Sequence, residues 1–257
     1  MQMKICLGGY VLLLAMATQI RPQSPPASFP KTLIEDLVLA NHILDNEGML
    51  DGYGHVSVRS PTNPSHYFLA RAGAPALVTL ADITEYDLDS IAVSGSAVTG
   101  YIERFIHGEI YKRRPDVMAV VHCHCSEVIP FADTSVPLRP MHHMGNFIGA
   151  GVPVFEIRKA GGETDMLIRT PALGRALAET LEGKSAVLMR GHGATIVAPS
   201  LHLVVGRAYY LNLNARLQLQ AIQLGGKVTY LDSEESKKAA TDYERSWDAW
   251  KSKVIRK

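Results

Sequence analysis

The chain has 257 residues, with 26 Lys and Arg against 25 Asp and Glu and a net charge of +1. Hydrophobic residues make up 47% and charged residues 20%, the balance of one large domain with a sizeable core. No block of like charges offers a polyanion a surface, which excludes nucleic acid as a partner, and three cysteines are too few for a disulfide scaffold.

In residues 1–17 (MQMKICLGGYVLLLAMA), Lys4 precedes an apolar run, and Ala15 and Ala17 occupy the −3 and −1 positions of a cleavage site. This is the layout of a secretory signal peptide; a spanning helix needs about 20 apolar residues. The expectation is a secreted or periplasmic chain with no membrane association after cleavage. The alternatives are an uncleaved anchor, or a misassigned start and a cytoplasmic protein. Residues 18–30 hold four prolines and predict a flexible lead-in. A single domain over 31–257 should follow, closing on a C-terminal helix.

Thr32 and Glu35 form a capping box, and Ile34, Leu37, Val38 and Leu44 recur at helical spacing after it. Asp51 to Gly54 is a turn. His55–Arg59 alternates and Tyr67–Ala70 is apolar, predicting two strands. Leu77–Val78 and Ile91–Val93 are further short strand candidates. Tyr101–Lys112 predicts a helix halted before Pro115. Val117–His124 predicts a buried strand and Val152–Ile157 another. Pro171–Leu181 predicts a helix, and Ala186–Arg190 a strand broken by Gly191-His192-Gly193. A long helix over Leu201–Leu224 and a last one over Glu234–Ser252 complete the chain, with Trp247 and Trp250 on one face. The mixture predicts a layered α/β domain.

His122 and His124 lie two apart on a predicted strand, which puts both side chains on one face. His-x-His at a strand end makes a two-ligand clamp for Zn²⁺, Mn²⁺, Co²⁺ or Fe²⁺, or simply two packed core histidines. His192, between two glycines, is a candidate third ligand. Three imidazoles with an open position form a catalytic rather than a structural metal geometry. Glu103, one helical turn before His107, is a candidate general acid/base or further ligand; the alternative is an exposed glutamate paired with Arg104 or Lys112. Cys123 and Cys125 fall on the opposite face of the strand from the histidines. Strand neighbours at i, i+2 strain a disulfide, so both read as buried apolar residues.

The ordered series Glu103-x3-His107-x3-Tyr111, Arg114-Pro115-Asp116-Val117, Ala119-Val120-Val121-His122-Cys123-His124 and Met189-Arg190-Gly191-His192-Gly193 resembles the class II aldolase/adducin superfamily over roughly residues 33–226. The resemblance implies a three-layer α/β/α sandwich around a mixed, largely antiparallel sheet. It implies one divalent metal per chain on His122, His124 and His192, Glu103 as the active-site carboxylate, and a homotetramer with active sites at subunit interfaces. Sugar-phosphate aldolases of that superfamily carry G-N-x-S and a hydroxyl pair before the glutamate to hold a phosphate. This chain has Gly54-His55-Val56-Ser57, and Tyr101-Ile102 before Glu103. The tyrosine those enzymes use after the Val-Pro strand is also missing from Val152–Arg158.

In place of those groups the chain offers His55, Ser57, Arg59, Arg71, His142, His143 and Arg158, a set that suits a carboxylate and a ring hydroxyl, although either of His142 and His143 reads equally as a loop cap. Arg59 and Arg71 read equally as ordinary surface residues. Phe147 or Tyr101 is placed to lie against an aromatic ring. Gly54–Arg59 with His142-His143-Met144 resembles the branch that includes 3-hydroxy-2-methylpyridine-4,5-dicarboxylate decarboxylase. The expected activity is metal-dependent decarboxylation of a hydroxy-aromatic or heteroaromatic acid, with a small molecule as partner. The competing readings are an aldolase for a non-phosphorylated hydroxy-carbonyl substrate, an iron oxygenase, and a non-catalytic adducin-like module.

Overall fold

The computed structural model describes residues 31–94 and 99–256. The predicted signal peptide and lead-in fall outside those residues. In chain order the elements are α1 (Lys31–Asn46), β1 (His55–Arg59), β2 (His66–Ala70), β3 (Ile83–Asp87), α2 (Phe105–Arg113), β4 (Ala119–Cys123), α3 (Ile129–Asp133), β5 (Val154–Phe155), α4 (Ile157–Gly161), α5 (Pro171–Leu181), β6 (Ala186–Met189), β7 (Gly193–Ala198), α6 (Leu201–Gln223), α7 (Ser233–Lys238) and α8 (Glu244–Ile255).

The strands form one seven-stranded sheet in the order β3-β2-β1-β4-β7-β6-β5. All neighbours are antiparallel except β5 and β6. Helices α2 and α5 pack together on one side, and α1, α6 and α8 on the other. This is the expected mixed sandwich. β4 is central and wholly buried, as its unbroken apolar run requires.

Several elements differ from the sequence expectation for local reasons. Residues 75–77 form a 3-10 turn begun by Pro75 rather than a strand. The edge strand is Ile83–Asp87, whose polar residues at Thr84, Glu85 and Asp87 conceal it in an apolar scan. Glu103 has φ −90° and ψ 18°, which breaks the predicted helix into a 3-10 turn, Ile102–Arg104, followed by α2. The last helix is two, because Tyr243 takes a left-handed conformation (φ 62°) between α7 and α8. Trp247 and Trp250 are both buried on α8, as their spacing implied.

The expectation for the cysteines is corrected. Cys123 and Cys125 are bonded to each other, with their Cα atoms 5.3 Å apart. The objection to pairing assumed that both lay on a strand. β4 ends at Cys123, so the chain is free to turn at His124 and bring the second thiol round.

Arg59 also departs from both of its sequence readings. It is 4% exposed, and its guanidinium donates to the carbonyls of Val117, Pro64, Tyr111 and Arg114. The same group lies over the Tyr111 ring at 4.6 Å. It therefore ties the end of β1 to the end of α2. On the other side, α6 binds an extended segment: Asn214 and Gln218 each accept from one backbone N–H (Met141, Arg139) and donate to one carbonyl (Arg139, Pro137).

Arg59→Met should lower stability by about 2–4 kcal/mol, because buried carbonyls lose their donors. Urea unfolding checks this. An unchanged midpoint with a raised KM would instead make Arg59 a substrate contact.

Candidate metal centre

Register assembles the site. β1 and β4 pair His55 with His122, so both side chains leave the sheet on the same face. β7 pairs Ala194 with Cys123, which brings the turn carrying His192 beside His124. That turn needs its glycines: Gly191 has φ +62°, and Gly193 has φ +156° with a hypothetical Cβ only 2.0 Å from the Cys123 carbonyl oxygen. Asp133 accepts the Gly191 N–H at 2.7 Å and steadies the turn.

The ligand atoms of Glu103, His122, His124 and His192 all lie within 4.8 Å of one another. Glu103 Oε1 accepts the Ile168 N–H at 2.8 Å, while Oε2 lies 3.5 Å from His122 Nε2 and 3.4 Å from His192 Nε2. Burial disfavours the Glu103 carboxylate, but His122 and His192 outweigh it and hold Glu103 well below the ordinary carboxylate range. His122 is buried, and neither of its ring nitrogens has a hydrogen-bond partner.

The outer contacts fix the tautomers. His124 Nδ1 lies 2.8 Å from Asp51 Oδ2, and His192 Nδ1 lies 3.0 Å from the Met166 carbonyl. Both neighbours are acceptors, so both Nδ1 atoms carry hydrogen and a neutral ring leaves Nε2 bare. Those two Nε2 atoms face each other at 3.2 Å. Two lone pairs at that distance repel unless a proton or a cation lies between them. A carboxylate beside three imidazoles, one of them an unpartnered buried ring, suits a divalent first-row metal. Histidine ligands oriented by a carboxylate and a carbonyl are the usual surroundings of such an ion.

The other candidate residues are distributed more widely. His55 adjoins the cluster, its ring 5.1 Å from His122 and 4.5 Å from Tyr101. Ser57 points inward, to His107 at 2.6 Å and Tyr111 at 2.8 Å. Arg71 is exposed and paired with Asp82. Arg158 is exposed and reaches the His192 turn only through Glu156, which also binds Arg190; these two arginines hold the Glu156 carboxylate down at about 2. His143 is exposed in a 3-10 segment packed on α6 and α7. Phe147 lies under Arg207. Among the described residues, no hydrogen bond or ion pair joins Arg71, His143 or Arg158 to the cluster.

Asp51, Met166 and the His107–Tyr111 pair were not expected at the site. Asp51 was visible only as a turn residue, and its approach to His124 follows from the β1–β4 pairing. His107 was noted for its spacing from Glu103, but the break at Glu103 turns it toward β1 instead.

Residues 35–219 match the family of Class II Aldolase and Adducin N-terminal domains, and the chain belongs to that family. Among curated relatives it is 41% identical over 224 residues to decarboxylase tropJ of Talaromyces stipitatus, covering 82% of this chain and 83% of that one. It is 31% identical to the 3,4-dihydroxyphthalate decarboxylase of Arthrobacter keyseri, covering 75% of this chain and 79% of that one. Among solved structures, an aldolase II superfamily protein from Pseudomonas syringae superposes with a TM-score of 0.72 at 19% identity, covering 89% and 95% of the two chains. An L-fuculose 1-phosphate aldolase from Glaciozyma antarctica gives 0.66 at 22%, covering 91% and 93%. These two relatives are named decarboxylases and the fold is that of the aldolases, which supports a lyase.

Asp51→Asn should weaken divalent-metal affinity by roughly 10–100-fold, because His124 loses the carboxylate that orients it. Affinity should also fall with pH: burial opposes protonation of His192, but Glu103 outweighs it and raises its pKa, so protons compete with the metal below neutrality. Titration with Zn²⁺ against a chromophoric chelator at pH 7.5 and pH 6 measures both effects.

Proposed function

We propose that this protein is a divalent-metal-dependent decarboxylase of a hydroxy-aromatic carboxylate. The observation that carries the reading is the cluster of His122, His124, His192 and Glu103, preceded in the chain by residues that offer no phosphate donor. Tyr101 spends its hydroxyl on the Gly73 carbonyl at 2.6 Å, and Ile102 has none to give. The relatives named as decarboxylases support the same reaction class, and the name 3,4-dihydroxyphthalate decarboxylase supports the substrate class.

His122, His124 and His192 would hold the metal, which when bound supplies Lewis-acid stabilisation for negative charge developing on a substrate oxygen. The protein's own groups do the rest. Glu103 is fixed at one oxygen by the Ile168 N–H, leaving the other directed at the cluster. It takes the proton from the ring hydroxyl and returns one to the ring carbon as CO2 leaves. Tyr53, 76% exposed and 6.5 Å from His124 between ring centres, offers a face to an aromatic ring at the rim. Arg71, His143 and Arg158 remain candidates for contacts made across a subunit interface of the tetramer that the resemblance implies.

Metal-loaded protein should release CO2 from a panel of hydroxy-aromatic carboxylates that includes 3,4-dihydroxyphthalate. Glu103→Gln should keep the metal and lose about 10²–10⁴-fold in kcat. Aldehyde release in place of CO2, or full activity in the variant, would sink the reading.

We extend the reading to compartment. The apolar N-terminal segment and the Cys123–Cys125 bond both support export to an oxidising environment. N-terminal sequencing of the mature protein should begin at Thr18. A start at Met1 would count against export.

A further inference from the structure

Behind the metal centre runs a buried line of polar groups that the proposed reaction does not use. His55 Nδ1 lies 2.7 Å from His107 Nε2, His107 Nδ1 lies 2.6 Å from Ser57 Oγ, and Ser57 Oγ lies 2.8 Å from Tyr111 Oη. All four residues are essentially inaccessible. Burial keeps both imidazoles neutral, with His107 pushed down to about 3 and His55 held well below its ordinary value. Each ring therefore has one hydrogen to place.

Three contacts serve four hydrogens, so each direction of the chain leaves one hydrogen over, at one end or the other. Tyr111 donates to Ser57, Ser57 donates to His107 Nδ1, and His107 Nε2 donates to His55 Nδ1. Run the other way, His55 donates to His107, His107 to Ser57 and Ser57 to Tyr111. The tyrosine hydrogen then has nowhere to go, since Tyr111 Oη has no other partner among the described residues. If Ser57 instead accepts from both sides, its own hydrogen is stranded. The two ends differ: Tyr111 lies within the core, whereas His55 Nε2 is not among the sealed, unpartnered atoms, so a hydrogen left over there can still meet solvent or a ligand, and the first direction is favoured. The hydrogen of His55 is thereby driven to Nε2, on the ring edge away from His107, where no group among the described residues engages it.

We propose that the chain Tyr111–Ser57–His107 fixes His55 as an Nε2–H donor beside the metal centre, where it binds a carboxylate or phenolate oxygen of the substrate. His55 is then a substrate contact that can donate but not accept, and it selects an anionic oxygen over a hydroxyl hydrogen. Ser57 and His107 are positioning residues, acting only through His55. The identity of the oxygen rests on the decarboxylase reading; the direction of the chain does not.

Long-range ¹H–¹⁵N correlation of ¹⁵N-histidine-labelled, zinc-loaded protein distinguishes the tautomers. Unmodified protein should show His55 with hydrogen on Nε2. Tyr111→Phe should keep that tautomer, because Ser57 still donates to His107, whereas Ser57→Ala cuts the chain and should yield a mixture. Salicylate serves as the binding probe: its Kd should rise about tenfold in Ser57→Ala and stay near the unmodified value in Tyr111→Phe. Hydrogen on Nδ1 in the unmodified protein, or an unchanged His55 signal in Ser57→Ala, would overturn the proposal. Should Ser57→Ala fail to fold, the unmodified protein and Tyr111→Phe still decide it. Salicylate binding to none of the proteins would overturn the hydroxy-carboxylate reading, with the tautomers deciding the chain separately.

Discussion

Two imidazoles that both give their hydrogen to an outer acceptor must face each other with bare nitrogens. His124 and His192 do so at 3.2 Å, with Asp51 and the Met166 carbonyl behind them. Left alone, such a pair would drift apart or take up a proton. What prevents the drift is the sheet. His124 follows directly on β4, and His192 precedes β7 by one residue; these strands are hydrogen-bonded neighbours in the buried centre of the molecule. The packing of some fifty core residues thus stands behind a local electrostatic conflict that a cation relieves.

The two faces of β1 divide the work. Val56 and Val58 face the α1 side and contribute to the core, whereas His55, Ser57 and Arg59 line the face that meets α2. That polar face changes role along its length. Arg59 at the far end is mechanical, Ser57 in the middle is electrostatic, and His55 at the near end adjoins the cluster of Glu103, His122, His124 and His192.

Much of the fold was legible where one physical signal dominated. α5 runs from Pro171 to Leu181 as its proline start and glycine stop imply, and the long helix α6 differs from expectation by one residue at its end. The unseen elements were those whose cause lies elsewhere in the chain. β3 is an edge strand in which only Ile83 and Tyr86 are fully buried, and β7 begins inside the glycine turn that appeared to end a strand. Within the site, the proximity of His122, His124, His192 and Glu103 was foreshadowed by spacing and by family resemblance. Asp51 and Met166 were not, because they act through a pairing register and through a backbone carbonyl, neither of which leaves a mark on residue type. The cysteine bond was misjudged for a related reason: the strand was taken to run one residue too far, and the geometry of the whole Cys-His-Cys segment depends on where it stops.

Gly193 gives the centre a further property. A methyl group there would fall on the Cys123 carbonyl, whose residue also belongs to the disulfide around His124. The turn holding one ligand and the strand end holding another are therefore in backbone contact, with no side chain between them to act as a spacer. Side-chain packing usually lets a protein adjust the separation of two sites by adding or removing a methylene. Here that adjustment is closed off, and the spacing between His124 and His192 is a property of main-chain geometry. Sequence drift over the surrounding helices therefore leaves the separation of His124 and His192 unchanged.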